Sequence, residues 1–252
     1  MIDLTFLNLR NLIQLGPLTI NLYGLLYVAG FCYLYKLVKN NFEANKIDKE
    51  LSYSFAIYLI IFSIFGARLF HVLFYMPEFY LEQPIRILQI WKGGLSIHGG
   101  LLGGFIAVVL FFKKHKINHE NALLKFFDSA ALPLAIFLAI GRILNLLNGE
   151  IIGTETDISW CITLSGIDGC RHPVQVYAFL KNVIIFFFLI KIKSIRKKSG
   201  VLTGSFLVLY GLLRFIIDFF REYEYYYLGL GIGQYLDILF FITGIYLIKK
   251  KD

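Results

Sequence analysis

The sequence predicts an all-α integral membrane protein of about seven transmembrane helices, with the N-terminus outside and the C-terminus in the cytoplasm. Three observations carry that expectation. Hydrophobic residues make up 58% of the 252 residues against 17% charged, and the mean hydropathy is +0.67, too apolar for an ordinary soluble domain of this length. The apolar residues gather into seven runs, most approaching the ~20 residues that cross a ~30 Å hydrocarbon core. The 25 Lys and Arg, which leave a formal charge of +8, cluster between those runs in a pattern that alternates along the chain. Net positive charge alone would also suit a nucleic-acid binder, but this distribution reads as topology instead, and no nucleic-acid partner is expected.

In chain order the runs are about Leu18 to Val38, Leu51 to Tyr75, Leu95 to Phe112, Leu123 to Leu147, Val174 to Ile190, Val201 to Phe220 and Tyr235 to Ile248. Four intervening segments, Lys36 to Glu50, Lys113 to Lys125, Lys191 to Lys198 and Lys249 to Lys251, hold 16 of the 25 basic residues. The alternating segments hold only Arg10, Arg86, Lys92, Arg171 and Arg221. Basic residues favour the cytoplasmic side, which sets the orientation. The chain then reads as one polytopic domain over residues 1–252, with short outward loops at about 76–93, 149–173 and 221–233. The first twenty residues lack a charged start, an apolar core and a small-residue cleavage site, so a retained N-terminus is expected.

Four basic residues, Arg68, Arg142, Lys181 and Arg214, fall inside the runs. A charge at membrane depth costs on the order of 2.5–3.5 kcal/mol on insertion scales, so such residues usually mark a substrate or ion path. Arg68 stands seven residues before Tyr75 and Arg214 seven before Arg221, roughly 10 Å from the outer end of a helix rising 1.5 Å per residue. Arg142 lies near the outer end of its own run, within Gly141 to Gly153, GRILNLLNGEIIG, where Arg142, Asn145 and Gly149 are spaced i, i+3, i+7 and Asn148 follows Asn145 by three. A helix over that stretch presents one polar stripe. Tyr23 and His98, at the starts of the first and third runs, are expected at the same outer depth; only Lys181, near mid-span, is ambiguous. Arg214 and Asp218, four apart, can neutralise each other on one helix face. Even so, Arg68, Arg142, Arg214 and Arg221 outnumber Asp218 and Glu150, so the layer carries surplus positive charge, and arginine forks suit phosphate.

The third run opens with Gly93 to Gly104, GGLSIHGGLLGG. Glycines beside His98 allow a neighbouring backbone or a ligand to approach closely, and an imidazole suits proton transfer near neutral pH. A histidine that serves as an interhelical hydrogen-bond partner is the competing reading.

Together with LGPLTINLYGLLYVAGF near the start and GQYLD near the end, the segments HGGLLGG, GRILNLLNGEIIG, RHPVQVY and YGLLRFIIDFFRE resemble, in order and spacing, the bacterial prolipoprotein diacylglyceryl transferases. The resemblance covers nearly the whole chain, and GR-x-x-N-x-x-N-x-E-x-x-G is its most specific piece. Where the family usually has HPSQLYE this chain has His172 to Ala178, HPVQVYA; Asp218 stands for the usual glutamate, and Arg221 to Glu224 reads REYE where REPD is usual. The resemblance therefore carries no role to Val174 or Ala178. It implies transfer of the diacylglyceryl group of phosphatidylglycerol to the lipobox cysteine thiol of a prolipoprotein signal peptide, with release of glycerol phosphate, in the bacterial inner membrane, so that the outer side is the periplasm. By position it carries over Tyr23, His98, Arg142, Asn145, Glu150, Gly153, Arg214 and Asp218, with Arg68 of GARLFHVLFY as a further substrate-binding position. Arg142 and Arg214 are expected to stabilise the charge growing on the phosphate. His98 as general base and Arg214 as thiolate stabiliser both remain open. No metal or other cofactor is expected, and apart from substrate and membrane lipid the protein is read as a monomer.

Two other functions use similar residues. An anion transporter would set polar residues at successive depths through the membrane, whereas here they stop in the outer half. A phospholipid hydrolase would use the same pocket with water in place of the thiol. Cys161 and Cys170 lie in the outward segment from Gly149 to Pro173, where a disulfide and two free thiols are equally compatible with the sequence. Cys32, inside the first run, is read as packing. Tyr225, Tyr226 and Tyr227 read as an interfacial aromatic belt.

Overall fold

A computed structural model describes residues 2–3, 13–15, 18–20, 22–117, 120–196, 198–223 and 226–250; the side chains of 2–20, Tyr23, Glu120 and Asn121 lie outside the described set. Short strands β1 (Ile2–Asp3), β2 (Ile13–Leu15) and β3 (Leu18–Ile20) precede helices α1 (Leu22–Ala44) and α2 (Leu51–Phe74). A short helix α3 (Pro77–Glu82) and two 3-10 turns lead to α4 (Ile97–Lys114) and α5 (Glu120–Leu147). Strand β4 (Ile162–Thr163), helices α6 (Val174–Ile195) and α7 (Val201–Ile217) with a 3-10 extension to Phe220, strands β5 (Tyr226–Tyr227) and β6 (Leu230–Gly231), and α8 (Ile232–Lys249) complete the chain. Long helices thus occupy each of the seven apolar runs. Five of them, α2, α4, α5, α7 with its extension, and α8, are long and apolar enough to cross a membrane by length and composition. The protein is a multi-pass, all-α membrane protein.

The chain divides into two compact units, residues 31–126 and residues 1–30 with 127–252. In the first, α2 and α4 pack backbone to backbone. A Cβ on Gly99 would run into the carbonyl of Gly66, and one on Gly103 into the carbonyl of Phe62, so only glycine permits this separation. Around that seam Phe42, Phe55, Phe111 and Phe126 form an aromatic core, with the Phe55 ring centroid 5.3, 4.9 and 5.2 Å from the other three in turn. Cys32 is exposed on α1, not packed as its position in an apolar run suggested; on a helix apolar on most sides, periodicity does not say which face meets the protein.

In the second unit the small side chains of Ala131 and Ala135 on α5 admit Ile185 and Leu189 of α6 and Leu202, Phe206 and Tyr210 of α7 into one core. Asp128 of α5 holds the start of α7: its carboxylate accepts from the Gly200 and Thr203 amides at 2.6 and 2.8 Å and from the Thr203 hydroxyl at 2.6 Å. That carboxylate satisfies donors left open at a helix N-terminus and fixes α7 against α5. Backbone pairing of β1 with β4 joins the first residues to the 149–173 segment.

Candidate active site

The site in the second unit begins where α5 ends. Asn145 and Asn148, on one stripe, donate to the two oxygens of Glu150 at 3.0 and 3.2 Å, and Arg142 donates to the Asn145 carbonyl oxygen at 3.3 Å. The chain turns through Gly149 and Ile151, both at positive φ, which lets Glu150 fold back on its own helix. Gln175, buried at the start of α6, donates to the Glu150 carbonyl at 2.7 Å. The spacing of arginine, asparagines and glutamate is thus a chain of hydrogen bonds that aims the Arg142 guanidinium.

Gly153 pins the next stretch. A Cβ there would collide with the His172 carbonyl, and Gly153 also forms a bridge with Arg221. Amides of Thr154 and Glu222 donate across to Phe220 and Ile152 at 2.8 and 3.0 Å, so the ends of α5 and α7 are tied by backbone. Cys161 and Cys170 form a disulfide with 5.6 Å between Cα atoms. Near it Arg171 pairs with Glu222 at 2.8 Å, and the Tyr177 hydroxyl accepts from Trp160 at 3.0 Å.

Beneath these loops lies a cavity lined by Arg142, Lys181, Arg214 and Arg221, by Asp218, and by apolar side chains including Ile151 and Ile217. Arg214 is buried, with Nε 3.4 Å from Asp218 and 3.6 Å from Asp237, and Nη1 donates to the Tyr210 hydroxyl at 3.2 Å. The Tyr223 hydroxyl donates to Asp218 at 2.6 Å, and Arg221 sits 4.5 Å over the Tyr223 ring. Burial, reinforced by the Asp218 carboxylate, raises the Tyr223 phenol above its ordinary value against the pull of Arg221, so it stays a donor. Asp237, fully buried on α8, and Tyr223 are members of this cluster that sequence reasoning missed; Asp237 lay inside the quoted GQYLD segment, where its charge in an apolar run was a usable signal. Lys181, ambiguous in depth from sequence, lines the cavity.

Between Arg10 and Lys249 the chain matches the sequence model of the family described as prolipoprotein diacylglyceryl transferase, which covers residues 10–249. The chain belongs to this family. It is 39% identical to the phosphatidylglycerol–prolipoprotein diacylglyceryl transferase of Tolumonas auensis, over 94% of this chain and 93% of that protein. Identity to the proteins of the same name from Chloroherpeton thalassium and Rickettsia bellii is 36%, over 96% and 99% of this chain and 91% and 98% of theirs.

Of the positions expected in the family site, Arg142, Asn145, Glu150, Gly153, Arg214 and Asp218 come together around the cavity or its supporting loops. His98 and Arg68 belong to the other unit, and the Tyr23 side chain lies outside the described residues. His98 is buried in the first turn of α4, its ring 6.2 Å from that of Phe70, after the N-cap Ser96. The Arg68 guanidinium is heavily used inside its unit. It donates to the carbonyls of Ile87, Gly93 and Gly94 at 2.9, 2.7 and 2.8 Å, and to that of Arg86. It also lies 4.9 Å over the Tyr80 ring. Four donations to one loop account for most of its five N–H groups.

Proposed function

We propose that this protein transfers the diacylglyceryl group of phosphatidylglycerol to the lipobox cysteine of a prolipoprotein. The observation that carries the reading is the cavity: four cationic side chains and one carboxylate line it, in a member of this family, beneath loops that join the ends of two membrane helices. Such a pocket suits the phosphate of an anionic lipid head group, and cations already in place stabilise charge that grows as the phosphate leaves. The thiol sulfur attacks the glyceryl carbon that bears the phosphate. An S–C bond forms as the C–O bond to phosphate breaks, glycerol phosphate leaves with the bonding pair, and the thiol proton passes to a base.

In this reading Arg142 and Arg214 bind the phosphate, Asn145 and Glu150 position Arg142, Gly153 sets the loop, and Asp218 orients Arg214. His98 takes the thiol proton, Tyr23 contributes from α1, and Arg68 organises the 84–94 loop instead of meeting substrate. The chain acts as a monomer and one polytopic domain of the bacterial inner membrane, with all seven long helices spanning, N-terminus periplasmic and C-terminus cytoplasmic. The asymmetry of basic segments supports that orientation, and the 76–93, 149–173 and 221–233 segments then face outward. Purified protein incubated with phosphatidylglycerol and a lipobox peptide should yield thioether-linked peptide and glycerol phosphate in equal amounts. Lipid cleavage with an unmodified peptide would make the protein a hydrolase and refute the reading.

A further inference from the structure

Helix α6 presents Val174, Ala178 and Lys181 to the cavity at i, i+4 and i+7. Lys181 is only 3% exposed, and its Nζ has no hydrogen-bond partner among the described residues. Its contact is the face of Tyr210, with Nζ 3.6 Å from the ring centroid. An ammonium carries three donors and no acceptor, and burying it unbonded is costly; the aromatic face returns only part of that cost. The other charged groups around the cavity do not fill the deficit. Arg142, Arg214 and Arg221 are themselves cations, and Asp218 is engaged by Arg214 and the Tyr223 hydroxyl. Asp237 pairs with Arg214 at 3.6 Å and makes no hydrogen bond to Lys181. The donors of Lys181 are thus left open to the acceptor oxygens of a ligand.

We propose that Lys181 is a further substrate-binding residue, whose ammonium donates to the phosphate oxygens of an anionic glycerophospholipid head group held in the cavity beside Arg142. The assignment rests on the function proposed above. A phosphodiester offers two non-bridging oxygens and one negative charge, which match a point-charge donor on one wall and an arginine fork on another. Tyr210 serves as the platform: its ring lies under Lys181 while its hydroxyl accepts from Arg214, so the two cations keep a fixed spacing.

The test uses Lys181→Met, which keeps most of the apolar stem of the side chain and removes its terminal charge, and Lys181→Arg. Binding is measured on the full-length protein with three probes: soluble glycerol phosphate, nanodiscs containing phosphatidylglycerol, and nanodiscs of phosphatidylcholine alone. Lys181→Met should weaken both anionic probes at least about tenfold, leave the thermal midpoint equal or higher, and leave phosphatidylcholine association unchanged, while Lys181→Arg recovers part of the loss. Weakening of the lipid alone would place Lys181 on the acyl or glyceryl portion and overturn the phosphate assignment. Unchanged affinity for both anionic probes in a folded Lys181→Met protein would overturn it outright, and if that variant fails to fold, unchanged affinity in Lys181→Arg with no competition between glycerol phosphate and phosphatidylglycerol would do the same. The two readings fail separately. Parental thioether formation with no effect of Lys181→Met on affinity leaves the transferase standing, and loss of anion affinity on Lys181→Met, where the parent forms no thioether, leaves Lys181 assigned and the transferase refuted.

Discussion

Arg214 and Arg142 line one cavity, yet their charges are held differently. Arg214 faces two buried carboxylates, Asp218 and Asp237, whereas Arg142 is held by the Asn145 carbonyl oxygen. Arg214→Gln therefore takes the ion-pair partner from Asp237 and leaves Asp218 with the Tyr223 hydroxyl, and is expected to cost about 3–5 kcal/mol of stability, read as a lowered thermal midpoint in detergent, in addition to any loss of activity. A midpoint equal to the parent's would show that neither carboxylate depends on it. As general base His98 acts on the chemical step, so His98→Gln should lower transfer about 10²–10⁴-fold while leaving phosphatidylglycerol affinity near the parent's. If the folded variant keeps parental turnover, another group takes the proton, and thiolate stabilisation by Arg214 becomes the better account. At this scale charge inside apolar runs was legible in the sequence because it is expensive and therefore conspicuous. What the sequence left open was pairing: that Arg68 is engaged by loop carbonyls, and that Asp237 reaches Arg214 from another helix, depend on contacts between distant segments.

Each long helix was legible as an apolar run, and the end of α5 as a polar stripe, because helical period and membrane thickness act on short stretches of chain. Helix faces were not legible. Runs apolar on nearly all sides left Cys32 misread as packing and Lys181 undecided. The Gly93 to Gly104 stretch was read as allowing a backbone or a ligand to come close; Gly99 and Gly103 serve the backbone of α2. Two glycines one turn apart separate the cases. A Cβ on Gly103 meets the Phe62 carbonyl, whereas on Gly100 its nearest contacts are at 3.6 and 3.7 Å. Gly103→Ala should destabilise by about 1–3 kcal/mol through overpacking, and Gly100→Ala should be neutral or stabilising because alanine favours the helix. Thermal denaturation of the two variants side by side checks this; equal midpoints would mean that the α2–α4 seam yields without cost.

For the whole molecule, the seven spans proposed above would put the two ends on opposite sides, with the basic segments setting the orientation. Cysteine labelling with an impermeant reagent at the N-terminal segment and beyond Lys249 should score outside and inside respectively; both ends on one side would contradict seven spans. The central claim is that a cationic cavity at the end of α5 carries phosphate through the transfer reaction. It is tested most directly by mass spectrometry of a lipobox peptide, following thioether formation from phosphatidylglycerol by the parent and by Arg142→Gln. Arg142 has no carboxylate partner among the described residues, so its loss should spare the fold while removing a charge-assisted contact worth roughly 1.5–3 kcal/mol. The account predicts an unchanged thermal midpoint and a rate at least about tenfold lower; a rate within about twofold of the parent's in the folded variant would contradict it.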